Sequence, residues 1–346
     1  MLAYRLLAPG RAELVDVDEP HPAPDEVRLR VLAAGVCRTD LALVRSGGPQ
    51  APVTLGHEIV GEVVELGAAV RTPSIGTTVA VYELIGCGGC APCRRGEDNL
   101  CREAPPAVPG VTRDGGMAEQ VVVPARNLVE LGDVDPIDAA PLTDAGMTAR
   151  HAVERGRPWL TRDAVAVVVG IGGLGHLALQ FISAIADPQV IAVDVDDSRL
   201  DFARQLGAAH GVQAGEGAGE RVLKANAERP VDVVFDFVGS QETLDLAARV
   251  TGRGGAILVT GGGGGRLCVT AQMGTGRFPE REVMVMHTFG GTRADLEDTL
   301  AHARAGRIHS RVQRFGLDEA GRALAELEAG RVLGRAVLIP CKRSLN

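Results

Sequence analysis

The period of the apolar positions changes along this chain. Up to about residue 131, short alternating or apolar runs at 12–17, 26–33, 59–66, 77–82 and 118–123 are broken by glycine and proline. Period-two alternation with closely spaced turn residues predicts an all-β module, a partly open barrel. Near Asp135 the pattern turns helical, at residues 136–142 and 148–155. Val165-Ala-Val-Val-Val169 is then an unbroken, β-branched apolar run, as in a strand buried on both faces. Strand-like and helix-like runs follow in turn at 190–193, 199–207, 231–238, 244–250, 256–259 and 283–288. That alternation predicts an α/β, doubly wound parallel sheet. Helices at 292–305 and 319–329 and a strand at 336–339 close the chain.

Directly after the Val165–Val169 run comes Gly170-Ile171-Gly172-Gly173-Leu174-Gly175, then a helical stretch from His176. Strand, glycine turn and helix in this order form a dinucleotide fingerprint. Gly170 would make the tight turn, Gly172 would let backbone approach a pyrophosphate, and Gly175 would let helix pack on strand. Unpaired amides at the helix N-terminus suit phosphate. The next strand ends in Asp194, 19 residues past Gly175. A carboxylate there accepts bonds from both ribose hydroxyls and repels a 2′-phosphate, which favours NAD over NADP. The five glycines from Gly261 to Gly265 read either as a flexible connector or as a loop beside the nicotinamide.

Composition narrows the class. A chain of 346 residues is long for one core and suits two domains. A formal charge of −8 argues against nucleic acid or an anionic membrane as partner. No basic segment with an apolar core opens the sequence and no apolar run approaches a membrane span, so a cytoplasmic location is expected. With aromatics at 3%, the cores must be built from Val, Leu, Ile and Ala, and the single Trp159 reads as packing.

Five of the seven cysteines lie between Cys37 and Cys101. Cys87, Cys90, Cys93 and Cys101 put four thiolates within 15 positions, with glycine and proline letting the loop wrap. A closed tetrahedral zinc site that braces a loop is the favoured reading. A disulfide pair and an iron-sulfur cluster, whose C-x-x-C-x-x-C opening this shares, are the alternatives. Cys37 and His57 each stand beside a strand end, where both can face one cleft.

Cys37-Arg38-Thr39-Asp40, the run Gly56-His57-Glu58 through Gly67, the four-cysteine segment and the glycine turn stand in the order and spacing of the zinc-dependent medium-chain alcohol dehydrogenases, which this chain resembles over nearly its whole length. Pro141-Leu-Thr-Asp144, Asp236-Phe-Val-Gly239 and Gly291-Thr-Arg293 are most similar to bacterial NAD-dependent secondary-alcohol dehydrogenases. The resemblance implies a GroES-like β-barrel catalytic domain of residues 1–145 with 290–346 beside a Rossmann domain of residues 146–289, NAD, and two zinc ions per chain. It assigns the catalytic zinc to Cys37, His57 and Asp144, where the family commonly has a third cysteine. It makes Asp40 the acceptor of the other His57 ring proton, Glu58 a carboxylate beside the metal, and Thr39 the hydroxyl that starts proton removal. Ala42 stands where many members have a relaying histidine. Arg38 and Arg335 correspond to pyrophosphate contacts, Arg199 to a ribose neighbour, and Thr148, Val238 and Val259 to the nicotinamide end. The implied reaction is hydride transfer between NAD and a small alcohol or carbonyl, in a homodimer or homotetramer. A polyol or sugar dehydrogenase and a non-catalytic zinc- and NAD-binding sensor are the alternatives.

Overall fold

The computed structural model describes residues 1–186, 188–268 and 282–340. Contacts divide the chain into two units, Met1–Met147 with Gly290–Asn346, and Thr148–Phe289. The first boundary falls within a helix, two residues past 145.

The first unit opens with strands β1 (Leu2–Ala8), β2 (Arg11–Asp16), β3 (Glu26–Val36), β4 (Val53–Thr54), β5 (Glu58–Leu66), β6 (Thr78–Val81), β7 (Gln120–Pro124) and β8 (Leu128–Glu130). Alternation in β3 buries Val27, Leu29 and Val31 against Ile59, Val63, Val79, Val81, Val121 and Val123, each worth about 1.5–3 kcal/mol of apolar burial. The all-β expectation misses a helix here, α1 (Arg38–Ser46). Its apolar stripe is short, and it starts because Asp40 accepts the Cys37 N–H at 2.8 Å, one half of a capping box. Gly47, at φ +89, ends it with an N–H bond to the Leu43 carbonyl at 2.8 Å. Two four-residue helices follow, α2 (Ala91–Arg94) and α3 (Pro136–Ala139), and then α4 (Ala145–Gly156).

In the second unit, strands β9 (Val165–Val169), β10 (Gln189–Asp194), β11 (His210–Gln213), β12 (Val231–Asp236), β13 (Thr251–Val259) and β14 (Met284–His287) form one parallel sheet in the order β11-β10-β9-β12-β13-β14. Helices α5 (Gly175–Ile185), α6 (Asp197–Gln205), α7 (Ala218–Ala225) and α8 (Gln241–Val250) connect its strands. β9 is buried at every position, which explains its unbroken valines. Winding reverses between β9 and β12, the switch point outside whose carboxyl ends such sheets bind ligands. β13 starts five residues before the expected 256, through Gly252, Gly254 and Gly255, whose weak strand propensity hides it. The glycine run is a pinned return, not a free connector. The Gly263 and Gly265 amides bond to the Val238 and Gly239 carbonyls at 2.9 Å, and a Cβ on Gly261 would fall 2.2 Å from Val238 backbone.

The chain then returns to the first unit with α9 (Arg293–Arg304), β15 (Val312–Gly316), α10 (Ala320–Glu328) and β16 (Arg335–Ile339). The larger sheet of that unit runs β15-β16-β3-β5-β6-β8, with β7 also on β3. Two registers matter for chemistry. Antiparallel pairing sets Gly35 opposite Glu58 and Val36 opposite Ala336. Residues just beyond those pairs, Cys37, His57 and Arg335, are thereby gathered at the end of β3.

Candidate active site and metal centres

At that end, Cys37 caps α1, His57 and Glu58 lie at the start of β5, and Asp144 follows a 3-10 turn, Ala140–Thr143, that leads into α4. One ligand atom from each of Cys37, His57, Glu58 and Asp144 lies within 4.8 Å of the others. Asp144 Oδ2 is 3.6 Å from Cys37 Sγ and 3.4 Å from His57 Nε2. Zinc bonds of about 2.0–2.3 Å at tetrahedral angles space S from O by about 3.6 Å and N from O by about 3.4 Å. The donor set therefore fits one zinc ion. Glu58 Oε2 is a buried acceptor without a hydrogen-bond partner, which also suits a cation nearby.

Asp40 ties two ligands together. One carboxylate oxygen holds the Cys37 amide at 2.8 Å, and the other accepts from Gly56 N–H at 3.3 Å and stands 3.6 Å from His57 Nδ1. Burial opposes charge on His57, yet the Asp40 and Asp144 carboxylates on either side hold its pKa well above the usual value. Thr39, exposed in the first turn of α1, has its hydroxyl 3.7 Å from Cys37 Sγ.

Glu58 is fully buried, and burial pushes its carboxyl up to about 7 against the opposing pull of Arg335. The two form a buried ion pair through Glu58 Oε1, which also accepts the Ala145 amide at 3.4 Å. Gly35 makes room for this carboxylate: a Cβ there would fall 1.7 Å from Glu58 Oε2. Arg335, expected at the pyrophosphate, is buried and paired with Glu58, because the β16–β3 register delivers it there. The remaining expected cofactor contact of this unit, Arg38, is exposed beside Thr39.

A further side chain, not singled out in the sequence as a site residue, belongs to the cluster. Glu83, 5% exposed, hydrogen-bonds the Asp144 side chain, and its pKa is raised well above the usual value by burial first and by Asp144 next. The available signal was one carboxyl inside the apolar run Val79-Ala-Val-Tyr-Glu-Leu-Ile85.

In the four-cysteine lobe all thiols are free, and the sulfurs of Cys87 and Cys93 are 3.9 Å apart, far from disulfide length. All four sulfurs lie within 4.8 Å of one another, and a single zinc at about 2.3 Å spaces its thiolates by about 3.8 Å. The N–H groups of Gly89 and Cys90 point at Cys87 Sγ from 3.4 and 3.3 Å, and that of Cys87 at Cys101 Sγ from 3.4 Å. Amides donated by Ala104, Cys87 and Glu103 push the Cys101 thiol down to about 6, ready for a metal. Metal analysis is expected to give two zincs per chain, and Cys101→Ser to give one with a lower unfolding temperature. A Cys101→Ser protein that keeps both ions would remove this centre.

In the second unit, Gly170 sits at φ +86, open to glycine alone, and a Cβ on Gly175 would lie 2.0 Å from the Gly170 carbonyl. Asp194, at the tip of β10, accepts the Ile171 amide at 2.7 Å and its own Asp196 amide at 3.1 Å. The same carboxylate thus braces the turn, a task its ribose assignment did not include. Arg199 has a guanidinium nitrogen 3.9 Å from where a Gly172 Cβ would stand, and Val238 lies against Gly170. Gly173 and Leu174 complete the turn, Val259 ends β13, and Thr148 is buried in α4.

Comparison with known proteins agrees with this geometry. Residues 23–133 match the alcohol dehydrogenase GroES-like domain and residues 173–305 match the zinc-binding dehydrogenase domain. An NAD-dependent alcohol dehydrogenase of Sulfurisphaera tokodaii is 33% identical across 98% of this chain and 100% of its own. This chain belongs to the zinc-dependent medium-chain alcohol dehydrogenase family. Within that family, a D-arabinose 1-dehydrogenase (NADP(+)) of Saccharolobus solfataricus is 32% identical over 94% of this chain and 93% of its own. The crystal structure of the alcohol dehydrogenase from Aeropyrum pernix superposes with a TM-score of 0.91, at 36% identity over 98% of this chain and 100% of that one. The GroES-like and Rossmann architecture is that of the family. In a dehydrogenase of this type the four-cysteine lobe and the Cys37, His57, Asp144 group are the two zinc centres to expect.

Proposed function

We propose that this chain is a zinc-dependent alcohol dehydrogenase that moves hydride between NAD(H) and a small or medium alcohol, ketone or aldehyde, with secondary alcohols as the preferred substrates. The observation that carries the reading is the spacing of Cys37, His57 and Asp144, which suits one tetrahedral zinc. Unit Met1–Met147 with Gly290–Asn346 is the catalytic domain and unit Thr148–Phe289 binds the dinucleotide.

Bound zinc supplies a Lewis acid that lowers the pKa of an alcohol hydroxyl, and bound NAD supplies the hydride acceptor. This chain's residues do the rest. Asp40 holds the Nδ1 side of His57, leaving Nε2 as the ligating nitrogen. Thr39 takes the substrate's hydroxyl proton. Ala42 carries no group to relay it, so the proton leaves through water. Asp144 brings the same single negative charge as a thiolate in that position. Arg38 and the N-terminal amides of α5, with Arg199 alongside, bind the cofactor phosphates and ribose.

Following NADH formation with a panel of primary alcohols, secondary alcohols and polyols tests the proposal. Strong turnover of secondary alcohols is expected, and no NADH with any of them would leave the non-catalytic reading standing. Polyol or sugar oxidation is the second reading, favoured by the buried polar Glu83 and by the D-arabinose 1-dehydrogenase among the relatives. Asp194→Gly is expected to cut the NAD to NADP preference at least about tenfold, since a carboxylate's repulsion of the 2′-phosphate is worth about 1.4 kcal/mol or more. An unchanged ratio would strip Asp194 of that role.

Strand β14 edges its sheet with Met284 and Val285 exposed, and a homodimer or homotetramer would cover it. No helix among the described residues is long and apolar enough to cross a membrane, and we place the enzyme in the cytoplasm.

A further inference from the structure

His176 is the second residue of α5, directly after the glycine turn, and its side chain is fully buried. Its ring nitrogen Nδ1 lies 2.8 Å from the Gly172 carbonyl oxygen, closer than its own amide, which reaches the same oxygen at 3.3 Å. A carbonyl oxygen only accepts, so Nδ1 carries the proton and donates. The ring also packs at a tilt on Phe202 of α6, with centroids 5.9 Å apart. Arg199 lies three residues before Phe202, so one face of α6 carries both. Its guanidinium is the group nearest to where a Gly172 Cβ would stand, at 3.9 Å. A peptide is planar and trans, so its C=O and N–H point to opposite sides. With the Gly172 carbonyl drawn onto a buried ring, the Gly173 N–H is turned outward, to the side from which a pyrophosphate would meet the turn. Neither residue of this peptide has a Cβ, so little else opposes its flipping over.

We propose that His176 is a positioning residue for the dinucleotide, whose Nδ1–H holds the Gly172–Gly173 peptide in the orientation that presents the Gly173 amide to a pyrophosphate. The proposal rests on the reading of unit Thr148–Phe289 as the NAD-binding domain. A turn that is flipped for part of the time binds a pyrophosphate more weakly in proportion to the competent fraction that remains. A ligand without a pyrophosphate loses nothing.

Dissociation constants of NADH, and of ADP-ribose and adenosine in competition with it, test this on the full-length protein. In His176→Leu, NADH and ADP-ribose are expected to bind about 5- to 50-fold more weakly, the range left by taking the donor from a buried acceptor, while adenosine stays within about twofold. Two more variants separate the hydrogen bond from the packing on Phe202. His176→Asn keeps an amide N–H near the place of Nδ1 and should recover binding to within about threefold of the parent. His176→Phe keeps an aromatic ring on Phe202 without a donor and should bind as weakly as His176→Leu. Unchanged binding in His176→Leu overturns the proposal, as does binding no better in His176→Asn than in His176→Phe. An equal loss of adenosine also overturns it, since that would make His176 packing alone. In the parent, imidazole nitrogen NMR shifts are expected to show the His176 Nδ1 protonated at neutral pH, and an unprotonated Nδ1 overturns the proposal however the variants fold. A parent that binds neither NADH nor ADP-ribose would instead overturn the dinucleotide reading beneath it.

Discussion

Asp144→Ala is expected to lower kcat/KM by about 10³- to 10⁵-fold while the protein stays folded with its four-cysteine zinc in place. Lewis-acid activation contributes several kcal/mol to such a reaction, and each 1.36 kcal/mol is a factor of ten. Only Cys37 and His57 would remain as direct partners of Asp144 Oδ2's position, too few for a stable site. Steady-state kinetics with the best alcohol of the panel, together with zinc content, checks this. Activity within tenfold of the parent would mean that the third ligand lies elsewhere, Glu58 being the nearest candidate in the same cluster.

Loss of Arg335 should have the largest effect on stability. Its side chain is 5% exposed and its partner Glu58 is fully buried, so Arg335→Met leaves a carboxylate in the interior without a counter-charge. Breaking a buried pair from one side costs about 3–5 kcal/mol, whereas replacing both partners is far milder. A clear drop in the midpoint of thermal and urea unfolding is expected for Arg335→Met, with most of it regained in the double variant that adds Glu58→Gln. An Arg335→Met protein as stable as the parent would show that Glu58 is balanced by something other than this guanidinium.

Much of this was legible because it is local. The valines of β9, the glycine turn and the Asp194 tip follow one another within a single strand, turn, helix and strand, and each leaves a mark on the adjacent residues. The cysteine lobe is equally compact in sequence. What escaped depends on partners far along the chain. α1 is a short helix whose start is set by the Asp40 bond to Cys37 and whose Leu43 shares a core with Ala320, Ala323 and Leu324 of α10. β13 is masked by its own glycines. Arg335 sits at a family position that suggested phosphate, and its buried pairing with Glu58 follows from the register of β16 on β3. Glu83 is a single carboxyl inside the apolar run 79–85, and only its contact with Asp144 gives it meaning. The sequence pattern brings out residues that share a motif and hides those whose partners lie far along the chain.

The meeting of β5 and β16 at one end of β3 has a consequence for biosynthesis. Every group proposed to grip the catalytic ion has left the ribosome once Asp144 emerges, but Arg335 lies 277 positions beyond Glu58. A nascent chain therefore carries an acid destined for burial through the translation of an entire inserted domain before its guanidinium arrives. Until then the sheet also lacks β15 and β16, so Glu58 gains its counter-charge in the same step that completes the pairing of β3.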